Sequence, residues 1–296
     1  MNKNEPRLKM ALQKSGKLSE GSIELLNKCS FKLRPAKNHY LIKSNELNTD
    51  FLMVRDDDIP GFIDSGVADV GIIGENLFIE YNLENKAKNN LEIIAKLKFA
   101  YCRLSIAASI NSSIKKLADL KDKTIATSYP HTLKSFLTKH KIKANIIVMH
   151  GSVELAPKIG IADAICDLVS TGTTLKENGL TEIYVLLESE AILVGRKSMP
   201  KPIKNYVNEL VFRFQSVIDA KNSKYIMLHI DKKQVVKLKN ILPGCEAPTT
   251  LELHGHPNKV AVHVVSQENV FWDTIAKLKS IGATSILVVD IEKMME

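Results

Sequence analysis

The segment Val67–Gly74 reads VADVGIIG, a short apolar run that closes on glycine and decides the fold class of the chain. A run of this kind predicts a strand that is buried on both faces of a sheet. Just upstream, Ile59, Phe62 and Ile63 fit one face of a helix that ends near Gly66. A helix that leads directly into a buried strand is typical of α/β proteins.

The same alternation of strands and helices continues on both sides of this segment. The chain opens with an apolar strand, a polar turn and an amphipathic stretch, and similar patterns recur as far as residue 149. Alternation of this kind implies mostly parallel sheets with helices on both faces. The predicted strands are Leu8–Leu12, Leu104–Ala108, Thr124–Thr127 and Ile146–Met149, and the predicted helices lie near Ile114–Leu120 and Leu133–His140.

The part of the chain after residue 222 carries a separate pattern. Its order of elements is βαββαβ, which predicts a ferredoxin-like unit. Gly282 stands where the C-terminus of a helix favours a positive φ angle. The predicted strands are Tyr225–Asp231, Thr249–Leu253, Val260–Val265 and Ser285–Asp290, and the helices are Lys232–Leu242, before a Pro243-Gly244 break, and Asn269–Ile281, with Phe271 on its buried face.

Three domains are expected from these patterns. The polar, asparagine-rich stretch 86–90 precedes a new series of strands, so we place a domain crossing near residue 98. The helix-compatible segment Val207–Ile218 returns to the first domain. The predicted domains are residues 1–97 with 190–222, residues 98–189, and residues 223–296.

Composition narrows the class of partner. The chain has 296 residues, is 45% hydrophobic and has a net charge of +8. Its lysines are scattered among acidic residues and aromatic residues are only 6%, so no basic and aromatic platform for nucleic acid is present. Small polyanionic substrates explain the positive balance better.

Cysteine spacing and the N-terminal sequence indicate the compartment. Cys29, Cys102, Cys166 and Cys245 lie far apart, which suggests neither a disulfide framework nor a thiolate metal site. The first residues contain no apolar run of signal-peptide length, and no later run is long enough to span a bilayer. These features predict reduced cysteines and a cytoplasmic protein that does not bind membranes.

The segment Ala162–Leu175, which reads ADAICDLVSTGTTL, carries the clearest chemical signal. An apolar strand runs into a loop of small hydroxyl residues with one glycine, and such a loop can form an anion nest for phosphate. Asp167, just upstream, could bind ribose hydroxyls or Mg²⁺. The alternative is a serine-threonine turn that caps a helix beginning near Thr174. The loop residues are Ser170, Thr171, Gly172, Thr173 and Thr174.

Other motifs are weaker or absent. The turn Lys14–Lys17 suits either solvent or a nucleotide phosphate. Three acids precede Pro60 in the segment Arg55–Pro60, and we interpret them as helix caps rather than as a metal site. No zinc-type histidine spacing, P-loop or nucleophile elbow occurs, so ATP would have to bind without a P-loop.

Several segments together resemble the long form of the ATP phosphoribosyltransferase family, nearly from end to end. In the first two domains they are Gln13–Gly16, Arg55–Gly61, Gly71–Asn76, Ala126–Pro130, Gly151–Glu154 and Asp163–Leu175. In the third domain they are Ser223–Met227, Leu242–Gly244, Ala247–Thr249 and Gly282–Leu287.

The resemblance implies a fold and an assembly. The core would be a two-domain, hinged structure of the type II periplasmic-binding-protein kind, followed by a ferredoxin-like, ACT-like regulatory domain. ATP and phosphoribosyl pyrophosphate would meet in the cleft, with Mg²⁺ required and histidine acting as the inhibitor. The family assembles through dimers into hexamers.

The resemblance also implies roles for individual residues. Asp167 and Glu154 would hold ribose hydroxyls or metal-bound water, although Glu154 could instead pair with Lys158 on a helix face. Lys17 departs from the family, whose members often have arginine there, and lysine cannot reproduce the bidentate fork on phosphate. The phosphoribosyl pyrophosphate site would comprise Asp163, Asp167 and Ser170–Thr174, and the ATP side Lys14, Gly16, Lys17, Asp69, Gly71, Glu75 and Arg103.

For the third domain, alignment to the family places His229, Thr249 and Ala283 near bound histidine. His229 could instead be a half-buried strand residue without a ligand. Two rival functions stay open at this point: a sensor that shares the hinged fold but has lost catalysis, and a nucleic-acid-binding protein whose affinity would fall steeply with salt.

Overall fold

A computed structural model describes most of the chain as two compact units, residues 1–209 and 210–296. The predicted Pro243-Gly244 break, Cys245 and Phe271 lie outside the described residues. Within the described residues, no helix is both long enough and apolar enough to cross a membrane. The described residues are 6–34, 40–85, 90–242, 247–267 and 272–295.

The elements of residues 6–221 alternate much as the sequence predicts. The strands are β1 (Leu8–Gln13), β2 (Leu41–Lys43), β3 (Thr49–Val54), β4 (Val70–Gly74), β5 (Leu91–Lys96), β6 (Cys102–Ser109), β7 (Thr124–Thr127), β8 (Asn145–Val148), β9 (Ala164–Val169), β10 (Leu180–Ser189) and β11 (Ala191–Arg196). The helices are α1 (Lys17–Lys28), α2 (Ile59–Asp64), α3 (Glu75–Glu84), α4 (Pro130–Lys139), α5 (Thr173–Glu177) and α6 (Lys201–Lys221).

The first sheet has the order β2-β3-β1-β4-β11-β5 and forms the first lobe with its helices. Strands β3, β1 and β4 are parallel. Strand β11 is antiparallel to β4, and β5 is antiparallel to β11, so β5 runs in the same direction as β4. Strand β11, which follows the return of the chain from the second lobe, therefore runs against its neighbours.

The second sheet repeats this pattern in the order β10-β6-β9-β7-β8 and forms the second lobe. Strands β8, β7 and β9 are parallel, β6 is antiparallel to β9, and β10 runs with β9. Here the reversed strand is β6, which follows the first crossing of the chain. The sheets are thus mixed, and the expectation of mostly parallel pairing is corrected by these two inserted strands and by the edge strand β2, which is antiparallel to β3.

The second unit contains β12 (Ser223–Asp231), α7 (Leu238–Ile241), β13 (Thr249–Glu252), β14 (Lys259–Gln267), α8 (Trp272–Ser280) and β15 (Thr284–Asp290). Its sheet is antiparallel with the order β13-β14-β12-β15, which is the order of a ferredoxin-like fold. Ile226, Leu228 and Ile230 point into a core that also includes Leu238 and Leu278. Gly282 has φ 88°, as expected at this helix end.

Two predicted helices are shorter than their patterns suggested. The segment near Ile114–Leu120 contains only a 3-10 turn at Leu117–Leu120, because the Asp119 carboxylate bonds the backbone N–H groups of Lys115 and Lys116 and favours a single turn. The segment Lys232–Leu242 begins as a 3-10 helix at Lys232–Lys237 before α7.

Gly71 is the second residue of β4, where helix α2 packs closely on the sheet. A Cβ atom at Gly71 would lie 2.6 Å from Cγ2 of Ile59 and 3.1 Å from the carbonyl oxygen of Ala11. The glycine therefore has a packing role in the first lobe.

We predict that Gly71→Ala lowers the free energy of unfolding by about 1–3 kcal/mol, because the added methyl group forces α2 away from the sheet. Urea denaturation measures this change. Gly61→Ala on α2 is the matched control, since a Cβ there meets nothing within 4 Å, and alanine should be neutral or stabilising. Equal stability of Gly71→Ala and wild type would contradict the packing role.

Candidate active site

The loops of the cleft begin where parallel strands end. In open α/β sheets, ligands bind outside the carboxyl ends of the strands. The carboxyl ends of β1, β3 and β4 lead to Lys14, Arg55 and Glu75, and those of β7 and β9 lead to Ser128 and Ser170. The two lobes therefore present their loops at corresponding edges.

A cavity of about 290 Å³ lies between the two lobes and is lined by residues of both. The first lobe lines it with Gln13, Lys17, Asp56 and Asn76, and the second lobe with Tyr129, Leu168 and Ser170. A neighbouring cavity of about 390 Å³ shares Tyr101, Cys102 and Ser170 with it and extends to Glu75, Lys96 and Arg103. Together they form a continuous cleft.

Asp167 lies near the carboxyl end of β9, facing the side of the sheet that also carries Glu154. Its Oδ1 accepts the backbone N–H of Leu168 at 2.8 Å. Burial raises the pKa of the Asp167 carboxyl above its usual value, the bond from Leu168 opposes this, and the charge of Glu154 raises the pKa further. Glu154 lies on a 3-10 turn, Val153–Leu155. Glu154 and Lys158 are therefore not on one face of an α-helix.

The loop Ser170–Thr174 is an open turn that leads into α5. Gly172 is the N-cap of this short helix and has φ 81°, a left-handed value that favours glycine. No side-chain cap bond forms here, and the hydroxyls of Thr171 and Thr173 lie 3.0 Å apart instead. The hydroxyl groups of the loop therefore do not cap α5, the alternative that the sequence left open.

The two cationic residues that line the second cavity, Arg103 and Lys96, are paired within the chain. Arg103 donates from Nε to Glu182 at 2.8 Å and from Nη1 to the carbonyl oxygen of Ser170 at 3.2 Å. Lys96 donates to Glu75 at 3.0 Å. Through these contacts Arg103 is held against the hydroxyl loop, and Glu75 is held at the start of α3.

The turn Lys14–Lys17 forms the start of α1. Gly16 has φ 97° at the N-cap position, and no side chain caps the helix. Because the first N–H groups of a helix have no partner within it, this end suits an anion, and Lys17 lines the smaller cavity. The Lys14 ammonium lies 4.3 Å from the centre of the Tyr40 ring and 3.3 Å from the Tyr40 hydroxyl.

Three predicted site residues lie away from these loops. Asp69 precedes β4, is nearly buried, and accepts bonds from the backbone N–H of Lys9 and from Arg196, each at 2.9 Å. Asp163 precedes β9 and accepts the backbone N–H of Thr124 at 2.8 Å. Both lie at the amino ends of their strands, one strand length from the cleft edge, which is about 17–20 Å at roughly 3.3 Å per residue. Gly71, the third residue, lies within β4 against helix α2, where it has the packing role described above.

Sequence reasoning missed a polar cluster in the cleft wall. The Asn76 amide donates to the Tyr129 hydroxyl at 3.0 Å, and its oxygen accepts the Ser189 hydroxyl at 2.8 Å. Burial raises the pKa of Tyr129 far above its usual value, and the charges of Asp167 and Asp56 add to this, so the phenol stays protonated. The segments 71–76 and 126–130 marked this region by resemblance, but nothing local indicated that they meet.

The three acids of Asp56–Asp58 form a 3-10 turn before α2, and no side chain caps that helix. Asp58 is the N-cap residue of α2, so the acids do lie at the helix start, where they complement its dipole, but they make no side-chain cap hydrogen bond. Asp56 also lines the cavity. Burial raises the pKa of Asp57, and Asp56 raises it further.

In the second unit, His229 and Thr249 share the sheet face opposite the core. His229 pairs with Ala261 of β14, and Thr249 pairs with His263 of the same strand. The Tyr225 hydroxyl lies 2.8 Å from Nδ1 of His263 on this face. Ala283 is buried in the core before β15, so its side chain does not join this face.

These features define a two-lobed α/β protein of the periplasmic-binding-protein kind, with a hydroxyl loop and a helix start in one cleft and a ferredoxin-like unit after it. A family profile for ATP phosphoribosyltransferase (HisG) matches residues 55–216, and one for the HisG C-terminal domain matches residues 220–293. The chain therefore belongs to the ATP phosphoribosyltransferase family, in its long form. Members are phosphoribosyl-transferring glycosyltransferases that act at the first step of histidine biosynthesis.

The chain is also similar to chains of solved structures. A chain of the ATP phosphoribosyltransferase HisG:HisZ complex from Thermotoga maritima is 27% identical, with 72% of this chain and 98% of that chain covered and a TM-score of 0.60. The alkanesulfonate-binding protein SsuA from Xanthomonas axonopodis pv. citri is 15% identical over 71% of this chain and 72% of that chain, with a TM-score of 0.49.

We predict that Asp167→Asn raises the free energy of unfolding at neutral pH. The folded-state pKa of Asp167 is raised, so ionisation destabilises the fold as pH rises from the unfolded pKa through the folded one. Asparagine removes that cost at neutral pH, and the gain should vanish at pH values below the usual pKa of an aspartate.

Denaturation curves at both pH values measure this difference. Asp122→Asn, at an exposed position, is the control and should change little. A loss of stability in Asp167→Asn at neutral pH would show that burial does not disfavour the Asp167 carboxylate.

Proposed function

We propose that the cleft joins ATP to 5-phosphoribosyl 1-pyrophosphate, giving N1-(5-phosphoribosyl)-ATP and pyrophosphate. One observation carries this proposal: Lys17 at the start of α1 and Ser170 at the start of the hydroxyl loop line the same cavity. Two anion-binding segments that face one cavity suit two phosphorylated substrates. Apolar side chains such as Leu18 and Leu77 in the same wall suit a purine ring.

The reaction needs alignment more than a protein nucleophile. N1 of adenine forms a bond to the anomeric carbon while the bond from that carbon to the pyrophosphate oxygen breaks, and pyrophosphate leaves with the electron pair. In the proposed arrangement, Ser170–Thr174 bind the 5′-phosphate, and Asp167 with Glu154 binds the ribose hydroxyls. The ATP phosphates lie toward Lys14, Gly16 and Lys17. Holding both reactants in line supplies much of the rate enhancement.

Mg²⁺ fits this cleft as an ion that arrives on substrate phosphates. Among the described residues, no group of three or more His, Cys, Asp or Glu side chains could hold a metal ion by itself. Mg²⁺ usually combines one or two carboxylates with phosphate oxygens and water. Asp167 and Glu154 would hold its water molecules, and the ion would supply charge neutralisation at the leaving group.

The remaining proposals concern assembly and regulation. We infer that residues 1–97 with 190–222 form the ATP-side domain, residues 98–189 the phosphoribosyl pyrophosphate domain, and residues 223–296 a histidine-binding regulatory domain. The enzyme is proposed to act in the cytoplasm as a homo-oligomer, from dimer to hexamer. Feedback inhibition by histidine follows if histidine binds one hinge or quaternary state better than another.

We predict that Asp167→Asn and Thr171→Val each lower kcat/KM at least tenfold, or about 1.4 kcal/mol of transition-state stabilisation. Each removes an interaction with the ribose 5-phosphate portion while leaving the sheet intact. Formation of phosphoribosyl-ATP, followed by ultraviolet absorbance with and without excess chelator, is the measurement. Thr181→Val on β10 is the control and should keep wild-type activity.

Wild-type kinetics in both folded cleft variants would remove this loop from the active site. A wild-type chain that binds nucleotide but forms no product would instead support a sensor that has lost catalysis. Full activity in excess chelator would contradict the Mg²⁺ requirement.

We predict that a chain ending at Asn222 keeps phosphoribosyl-ATP synthesis but loses inhibition by histidine. His229→Ala in the intact chain should weaken inhibition roughly tenfold, the loss expected for one good hydrogen bond to a charged ligand. The control is Val236→Ala, at an exposed position 78% accessible to solvent.

Calorimetry measures histidine binding, and initial rates measure inhibition. By linkage, a substrate that favours the opposite state must weaken histidine binding by the same factor. Full histidine sensitivity of the shortened chain, or no histidine binding by the intact one, would rule out this regulatory role.

A further inference from the structure

A buried carboxylate joins the two lobes outside the cavity. Glu80 of α3, only 8% exposed, accepts three hydrogen bonds from the start of α4. The backbone N–H of His131 donates to its Oε1 at 2.7 Å. The backbone N–H and the hydroxyl of Thr132 donate to its Oε2 at 2.7 and 2.5 Å.

These bonds supply the N-terminal cap that α4 lacks within its own segment. Tyr129 is the N-cap residue, makes no side-chain cap bond, and is followed by Pro130, which has no N–H. His131 and Thr132 therefore carry the first free N–H groups of the helix, and Glu80 takes both. A carboxylate at this position is also favoured by the helix dipole.

Asn76 extends the same contact toward the cleft. It lies one turn before Glu80 on α3, and residues four apart share one face of a helix. Asn76 holds the Tyr129 hydroxyl, and its own side chain is held by Ser189. One face of α3 thus fixes residues 129–132 of the other lobe, including the Tyr129 ring that lines the cavity.

We propose that Glu80 is a positioning residue, whose carboxylate holds the first turn of α4 so that Tyr129 keeps its place in the cleft wall. The kinetic part of this inference rests on the proposed function, because Tyr129 shares its cavity with Lys17 and Ser170. Glu80 itself is not among the residues that line either cavity.

Glu80→Gln tests the clamp with little change in size. An amide has one acceptor oxygen and a donor group, so at least one donor of α4 is left unpaired. The substrate phosphates are bound elsewhere, so KM should change less than kcat. We expect kcat to fall roughly tenfold, since a small displacement of the cleft wall disturbs alignment.

The experiment uses the full chain and two readouts. Hydrogen exchange of the His131 and Thr132 amides should become roughly tenfold faster in Glu80→Gln, because local opening loses its carboxylate partner. Initial rates of phosphoribosyl-ATP formation give kcat and KM. Glu84→Gln, an exposed position on the same helix, is the control and should match wild type in both readouts.

Three further variants separate positioning from general stability. Thr132→Val removes one donor and should give a smaller loss of kcat, which Thr132→Ser should restore because it keeps the hydroxyl. The double variant Glu80→Gln with Thr132→Val should be little worse than Glu80→Gln alone, since both break one contact. If Glu80→Gln does not fold, the comparison of Val with Ser at position 132 decides the matter.

A lower melting temperature with unchanged kcat, KM and amide exchange would overturn the proposal, as would equal kinetics of the Val and Ser variants. If the wild-type chain forms no phosphoribosyl-ATP, the proposed function fails. Amide exchange then still decides whether Glu80 holds α4.

Discussion

The direction of the strands is the constraint on which the site depends. In each lobe, the strand that follows a crossing of the chain enters the sheet against its neighbours, as β6 and β11 do. The other strands that flank it run one way, so their carboxyl ends share one edge. The helix start after β1 and the hydroxyl loop after β9 are on those edges, and they line one cavity for that reason.

The two chain segments that cross between the lobes are joined to each other by backbone hydrogen bonds. The backbone N–H of Leu97 donates to Ala191, and that of Ala191 donates to Phe99, each at 2.9 Å. Lys98 and Ala100 have φ angles of 54° and 51°, left-handed values that cost a non-glycine residue roughly 1 kcal/mol or more. Such angles persist only where surrounding bonds hold them. The crossing and the contact of Glu80 with α4 therefore join the lobes at two separate points.

The cleft combines groups that a stable core would exclude. Burial disfavours the Asp167 carboxylate, and Glu154 adds a like charge. The Tyr129 phenol is kept neutral by burial and by nearby carboxylates, so it can donate a hydrogen bond at any ordinary pH. Arg103 is balanced by Glu182. This arrangement of charges and hydrogen-bond donors in fixed positions suits chemistry that depends on electrostatic stabilisation. A reaction between two phosphorylated substrates is of that kind.

Local pattern in the sequence determined the α/β class, the βαββαβ unit and the hydroxyl loop, because each depends on residues close together in the chain. Strand β7 and the helix end at Gly282 follow the same rule. Tertiary structure alone decided which residues meet. Asp69 and Asp163 precede their strands and therefore lie at the edge of the sheet that is far from the cleft. Asn76 and Glu80, in contrast, contact residues 129–132, which lie about 50 positions further along the chain. The physical reason is that hydrophobic periodicity specifies which face of an element is buried. It does not specify which polar groups of distant elements that burial brings into hydrogen-bonding distance.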